Sequence, residues 1–299
     1  MWVLATAMQA AGWAGGEKVI PLWPEGLPGE KVAVGAEQAT PDGGWLTQIS
    51  EPVVTVFLPE RPDERHAGVI VCPGGAYAGL TYQWEGVTYA KWLNELGIAA
   101  FVLKYRVKEY GAPAPLQDVL RAIRLVRSRA AEWGVDPTRV GVIGSSAGGH
   151  LAACAATLFD HADGKTGAAL DAVSGRPDFA ILVYPVITLG EFTHEGSLHN
   201  LLGEQPTPDR VNRYSTEKQV TAATPPVFLI HTQEDALVPV QNSLLFYSAL
   251  VQAKVPAEMH LFPRGRHGIG LRAGPDGARD WPDMAKKWLQ ALGVLAPQT

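Results

Sequence analysis

Short apolar runs, each followed by a turn or a helical pattern, constrain this chain more than any other feature. Gly68–Cys72, Ile98–Leu103, Val140–Ile143, Phe179–Tyr184 and Val227–His231 carry almost no polar residues. Runs of this length without polar alternation fit strands buried on both faces, as parallel sheets require. Between them, Val87, Ala90, Trp92, Leu93 and Leu96 recur at helical spacing, and so do Leu116, Val119, Leu120, Ile123 and Val126. Helical patterns also cover 151–158, 244–251 and 284–292, and Met259–Phe262 reads as the last strand. Strands alternating with helices predict an α/β fold, a mostly parallel central sheet with helices on both faces. Pro52–Leu58 is β-branched and bounded by prolines, which suits an early strand antiparallel to its neighbour. Ile20–Gly29 holds three prolines and reads as an extended surface segment.

With 299 residues and no linker, repeat or low-complexity tract, a single domain over 17–299 is the economical organisation. A chain of this length buries roughly three quarters of its unfolded surface in one core. Thr188–Thr224 breaks the rhythm, being polar and scattered with prolines. Long insertions of this kind are usually functional, and this one is expected to cap the strand ends. Asp136-Pro137-Thr138 is expected to turn the chain into the Val140 strand. Arg121, Arg124, Arg127 and Arg129 fall largely off their helix's apolar stripe and read as a solvated face.

Net charge near −5, with no basic run, gives no reason to expect nucleic acid as a partner. Met1–Ala14 is apolar but too short to span a bilayer. It resembles the h-region of a signal peptide without the basic n-region, so residues 1–16 are read as a signal-peptide remnant or a tail. Secretion or a periplasmic location is the matching expectation. Cys72 and Cys154 read as buried free thiols.

Chemistry concentrates at Gly144-Ser145-Ser146-Ala147-Gly148, which fits G-x-S-x-G between a strand and a helix. That is the context of a nucleophile elbow. The turn is so tight that side chains two residues either side of the nucleophile would collide with their neighbours, which accounts for both glycines. Ser146 then projects above the sheet edge at a helix N-terminus, where the dipole favours developing negative charge. A serine needs a base, and the base needs an orienting acid. On this scaffold the expected chain order is Ser, then Asp or Glu, then His. His267 follows the last strand and is the candidate base. Asp235, just after the preceding strand, is the candidate acid, with Glu234 the competitor. Asp235 is preferred because it precedes the turn that Pro239 helps close. For the oxyanion, Ala147 supplies one N–H, and further donors belong in the loop Pro73-Gly74-Gly75-Ala76-Tyr77.

Other constellations carry less. His150 and His231 read as satisfied core histidines. Glu191, His194, Glu195 and His199 suggest a metal, but histidines five apart do not share a helical face as H-E-x-x-H ligands do. No metal and no cofactor are therefore expected. Gly268-Ile269-Gly270 resembles a dinucleotide fingerprint, yet Gly274-Pro275 breaks the helix that would hold the pyrophosphate.

Together these motifs resemble the α/β-hydrolase superfamily, and within it bacterial esterases of the acetyl-xylan-esterase-like and hormone-sensitive-lipase-like groups. The resemblance runs from about Ile20 to Leu292. It implies Ser146 as nucleophile, His267 as base and Asp235 as acid, with Gly75, Ala76 and Ala147 as oxyanion donors. The sequence departs from the lipase-like His-Gly-Gly-Gly loop at Pro73 and Ala76, and the Ala76 methyl narrows the space for bulky acyl groups. Arg264 and Arg266 interrupt the glycine-rich run before the histidine. Tyr77, Trp84 and Tyr184 are expected to line the pocket. The leading reading is a serine hydrolase of short acyl esters, such as acetyl groups on plant-polysaccharide fragments, taking a small-molecule or oligosaccharide ester. The alternatives are a prolyl-oligopeptidase-like serine peptidase and an inactive hydrolase fold used for binding.

Overall fold

The computed structural model describes residues 18–29, 32–60, 66–271 and 278–295; the apolar start read as a signal-peptide remnant or a tail lies outside them. Its strands are β1 (Lys18–Pro21), β2 (Gln38–Ala39), β3 (Leu46–Thr47), β4 (Val53–Phe57), β5 (His66–Cys72), β6 (Ala99–Lys104), β7 (Val135–Ser145), β8 (Ala180–Val183), β9 (Val227–Thr232) and β10 (Ala257–Phe262). Its helices are α1 (Thr88–Glu95), α2 (Ala114–Ser128), α3 (Ser146–Thr157), α4 (Glu195–Leu202), α5 (Pro208–Tyr214), α6 (Gln241–Gln252) and α7 (Trp281–Ala291).

Eight strands form one sheet in the order β1-β4-β6-β5-β7-β8-β9-β10, and β2 pairs with β3 apart from it. From β6 to β10 every neighbouring pair is parallel, while β4 runs antiparallel to both β1 and β6. The expected α/β architecture with an early antiparallel strand is thus the observed one. The central strands β5, β8 and β9 are buried along their whole length. Their lack of alternation follows from helices covering both faces. Parallel strands deliver their C-terminal ends, and the loops that follow, to one edge. Ser146 at the start of α3, Asp235 in the loop after β9 and His267 in the loop after β10 all follow such strand ends.

Three expectations need correction. First, β7 begins at Val135, and Asp136–Thr138 is a local kink within it. Asp136 Oδ1 accepts from the Thr138 amide at 2.9 Å and hydroxyl at 2.7 Å, and the pairing with β5 skips from Val135 to Val140. Second, Leu22 and Trp23 are buried rather than lying on the surface. The Trp23 indole N–H donates to Asp118 Oδ1 at 2.7 Å, and Asp118 also pairs with the buried Arg106 at 2.8 Å. Third, the α2 arginines are not a solvated face. Arg121 and Arg124 are buried. Arg121 donates to the Leu22 carbonyl and to Glu25, and Arg124 to the Gly164 carbonyl and to Asp171. Chain segments folded over α2 supply acceptors where spacing alone suggests water.

The 188–224 insertion holds α4 and α5 and reaches back to the sheet edge. Asn200 Nδ2 donates to the Ala76 carbonyl at 2.9 Å, and the Ala112 amide donates to the Leu201 carbonyl at 2.7 Å.

Candidate active site

Ser146 opens α3 with φ of +55°. An L-residue adopts this left-handed region at a cost, so the surroundings must hold it there. A Cβ on Gly144 would collide with the Gly148 carbonyl, and one on Gly148 with the Cys72 and Pro73 carbonyls. Both glycines are therefore fixed by close backbone approach.

His267 Nε2 lies 2.9 Å from Ser146 Oγ, and its Nδ1 lies 2.6 Å from Asp235 Oδ2. Asp235 is buried. Its Oδ1 accepts from the Leu237 amide at 3.0 Å and the Val238 amide at 2.9 Å. Burial alone would push its carboxyl up. Hydrogen bonds from His231 and His267 and the Val238 amide outweigh that and hold it well below the usual carboxylate range. With Asp235 ionised, His267 Nδ1 donates to it and Nε2 is left to accept from the serine hydroxyl.

His231 is the satisfied core histidine expected, with a further use. Nε2 donates to the Val238 carbonyl at 2.9 Å and Nδ1 accepts from the Ser243 hydroxyl at 2.8 Å. Its Nε2 also lies 3.4 Å from Asp235 Oδ2, backing the acid. Glu234, the competing acid, instead accepts from the Gly265 amide at 3.1 Å.

The loop after β5 carries two further left-handed residues, Ala76 at φ +54° and Tyr77 at +57°. Among the described residues, the Gly75 and Ala76 amides donate to no other group. Ala147 lies in the first turn of α3, where amides have no intrahelical acceptor. These are the three predicted oxyanion donors.

Tyr77 is not on the pocket wall. It is buried, and its hydroxyl donates to His150 Nδ1 at 2.8 Å, while His150 Nε2 donates to the Tyr214 carbonyl at 2.7 Å. Burial lowers the His150 pKa to about 4, against the opposing pull of the Tyr214 carbonyl, so this imidazole stays neutral. Trp84 and Tyr184 do line the cavity beside His267, of about 490 Å³, together with Glu85, Leu237 and Arg266. The 188–224 insertion contributes nothing to that lining. Cys72 and Cys154 are buried and free, and burial pushes both thiols up. His194 caps α4 by bonding to Ser197, and among the described residues no cluster has the ligands to hold a metal.

Glu85 escaped the sequence reading. It sits in a π-helical turn, Tyr82–Val87, ahead of α1, and no motif marks it.

The family model of BD-FAE matches residues 54–250, about two thirds of the chain. The chain belongs to the BD-FAE family. The BD-FAE match ends before His267 and begins after the buried Trp23. Among relatives, the chain is 40% identical over 211 residues to endo-1,4-beta-xylanase B of Butyrivibrio fibrisolvens, covering 69% of this chain and 33% of that protein. It is 37% identical over 231 residues to the acetylxylan esterase of Xylanibacter ruminicola, covering 76% and 45%. The chain therefore spans less than half the length of these two relatives. Among solved structures, it resembles an acetyl ester-xyloside bifunctional hydrolase from Caldicellulosiruptor lactoaceticus, with TM-score 0.82, 42% identity and coverage of 93% and 97%. It also resembles the carboxylesterase Cest-2923 of Lactobacillus plantarum, with TM-score 0.72, 28% identity and coverage of 90% and 100%. This BD-FAE domain has the α/β-hydrolase fold of those esterases.

Proposed function

We propose that the protein is a serine carboxylic-ester hydrolase that removes short acyl groups, acetyl above all, from carbohydrate esters. The observation that carries this is the unbroken hydrogen-bonded line Asp235–His267–Ser146 at a left-handed elbow. Similarity to an acetylxylan esterase and to an acetyl ester-xyloside hydrolase supports the choice of acyl and alcohol.

Ser146 Oγ attacks the ester carbonyl carbon as His267 Nε2 takes its proton. The carbonyl oxygen becomes negative and is met by the amides of Gly75, Ala76 and Ala147. Preorganised donors of this kind are worth about 3–4 kcal/mol each when removed. Asp235 stabilises the imidazolium without taking its proton. The tetrahedral adduct collapses, the alcohol leaves with the proton from His267, and Ser146 keeps the acyl group. Water, giving a proton to His267, then attacks the acyl-enzyme; collapse releases the acid, and the proton returns to Ser146. In this assignment, Trp84 and Leu237, both exposed on the cavity wall, offer apolar surface to the alcohol portion.

The test is Ser146→Ala on p-nitrophenyl acetate, with an acyl-length series and acetylated xylo-oligosaccharides run beside it on the parent enzyme. Turnover should vanish in the variant, and activity should fall as the acyl chain lengthens. Full turnover by Ser146→Ala would sink the mechanism, and activity confined to long chains would sink the acyl assignment.

A further inference from the structure

We propose that Glu85 is a positioning residue that sets the oxyanion loop and the catalytic histidine from one carboxylate. This rests on the reading of Ser146 as nucleophile and His267 as base. Glu85 is buried on the wall of the cavity that His267 also lines. Its Oε2 accepts from the Gly74 amide at 2.8 Å and lies 2.6 Å from the Thr81 hydroxyl, which donates to it. Its Oε1 accepts from the Tyr184 hydroxyl at 2.7 Å. Three donors from two chain segments, the loop after β5 and the residue following β8, converge on one side chain, so both oxygens of this buried carboxyl group are hydrogen-bonded.

Both segments adjoin a reacting group. Gly74 directly precedes Gly75 and Ala76, whose amides are the oxyanion donors of the proposed mechanism. The Gly74 carbonyl, on the same peptide unit as the Gly75 amide, accepts from the Thr81 amide at 2.9 Å. The Pro73 carbonyl, on the peptide unit of the Gly74 amide, accepts from the Tyr105 hydroxyl at 2.7 Å. Glu85 thus fixes the one free end of a peptide already held at the other. A Cβ on Gly74 would sit 2.5 Å from Glu85 Oε2 and 3.0 Å from Ser146 Cβ. Glycine there lets the carboxylate and the nucleophile stand on either side of the same backbone atom.

Tyr184 forms the second arm. Its ring packs edge-on against His267 at 5.0 Å between centroids, and its backbone sits at φ +36°, left-handed and strained. The hydroxyl bond to Glu85 anchors the far end of that ring, which Ser145 and Tyr89 also contact. With Glu85 in place, the base and the oxyanion donors share one reference point, and a shift in either is resisted by the other.

The test uses the full chain, with p-nitrophenyl acetate for kcat and KM and a boronic acid inhibitor as the tetrahedral-adduct probe. Glu85→Ala should lower kcat by about 100-fold, the scale of a lost oxyanion donor, with KM changed less than about threefold. The boronic acid should weaken in parallel with kcat, because only the tetrahedral state uses the positioned donors. Glu85→Gln keeps an acceptor for Gly74 and turns its amide N–H towards the Tyr184 oxygen, so it should recover to within about tenfold of the parent. Tyr184→Phe should lower kcat several-fold at an unchanged fold, and it decides the matter if Glu85→Ala does not fold. A kcat within threefold of the parent in Glu85→Ala, a loss expressed wholly in KM, or no effect in Tyr184→Phe would each overturn the proposal. Ser146→Ala separates this from its premise: loss of both turnover and boronic acid binding there keeps the nucleophile assignment whatever Glu85 does.

Discussion

Replacing Asp235 by Asn should cripple the enzyme while leaving it folded. In the parent, Oδ1 accepts two backbone amides at 3.0 and 2.9 Å, and Oδ2 faces His267 Nδ1 at 2.6 Å and His231 Nε2 at 3.4 Å. An asparagine must keep its carbonyl at the first position, since turning its NH2 towards Leu237 and Val238 would set donor against donor twice. The NH2 then occupies the Oδ2 place and donates to His267 Nδ1. That imidazole must carry its proton on Nε2, where it points at Ser146 and cannot accept. A wrong tautomer of this kind costs about 10,000-fold in kcat, equivalent to roughly 5 kcal/mol of transition-state stabilisation. The assay is kcat and KM on p-nitrophenyl acetate, with circular dichroism and urea denaturation to establish folding. KM should move little. A folded Asp235→Asn enzyme losing less than tenfold in kcat would refute the assignment, and Glu234→Gln would then be the next variant to examine.

Three further outcomes are expected. Trp84→Ala should raise KM for acetylated xylo-oligosaccharides about tenfold, a loss of roughly 1.4 kcal/mol, and leave p-nitrophenyl acetate hydrolysis within about twofold; steady-state kinetics on both substrates check it. Gly148→Ala should cost about 3 kcal/mol or more in urea unfolding, because the added methyl meets the Cys72 and Pro73 carbonyls, and an equally stable variant would contradict the elbow geometry. His150 carries a pKa lowered to about 4 against roughly 6.5 for an unfolded histidine. The unfolded chain therefore binds the extra proton first, and the stability this residue contributes is full above pH 6.5. As pH falls towards 4 roughly 3 kcal/mol is lost. Urea unfolding of the parent and of His150→Gln from pH 7 to pH 4 should show a shallower pH slope in the variant.

The sheet was legible because its strands are buried on both faces, so their apolar runs could not be mistaken for half-exposed ribbons. The elbow was legible because its glycines answer to backbone collisions that leave no other residue possible. Asp235 and His267 could be placed because parallel strands send their loops to one edge. What depends on distant partners was not legible. Arg121 and Arg124 look solvated on a helical wheel, and only segments some 40 to 100 positions away in the chain give them acceptors. Tyr77 stands in the loop that carries the proposed oxyanion donors, but a left-handed backbone turns its ring inward to His150. Glu85 has no spacing signal at all, since its three donors come from positions 74, 81 and 184.

The burial of Trp23 and Arg121 sets how the protein can be cut. The stretch matching the family model runs from 54 to 250, and trimming to it would be the natural choice for a fusion partner or a minimal catalyst. Cutting at 54 would strip Asp118 of its indole donor and Arg121 of both acceptors, leaving charges under α2 that were solvated by chain rather than by water. Cutting at 250 would discard His267 with β10 and α7. A portable unit must therefore keep Leu22, Trp23 and Glu25 at one end and His267 with α7 at the other, and the short N-terminal strap belongs to it as fully as the sheet does.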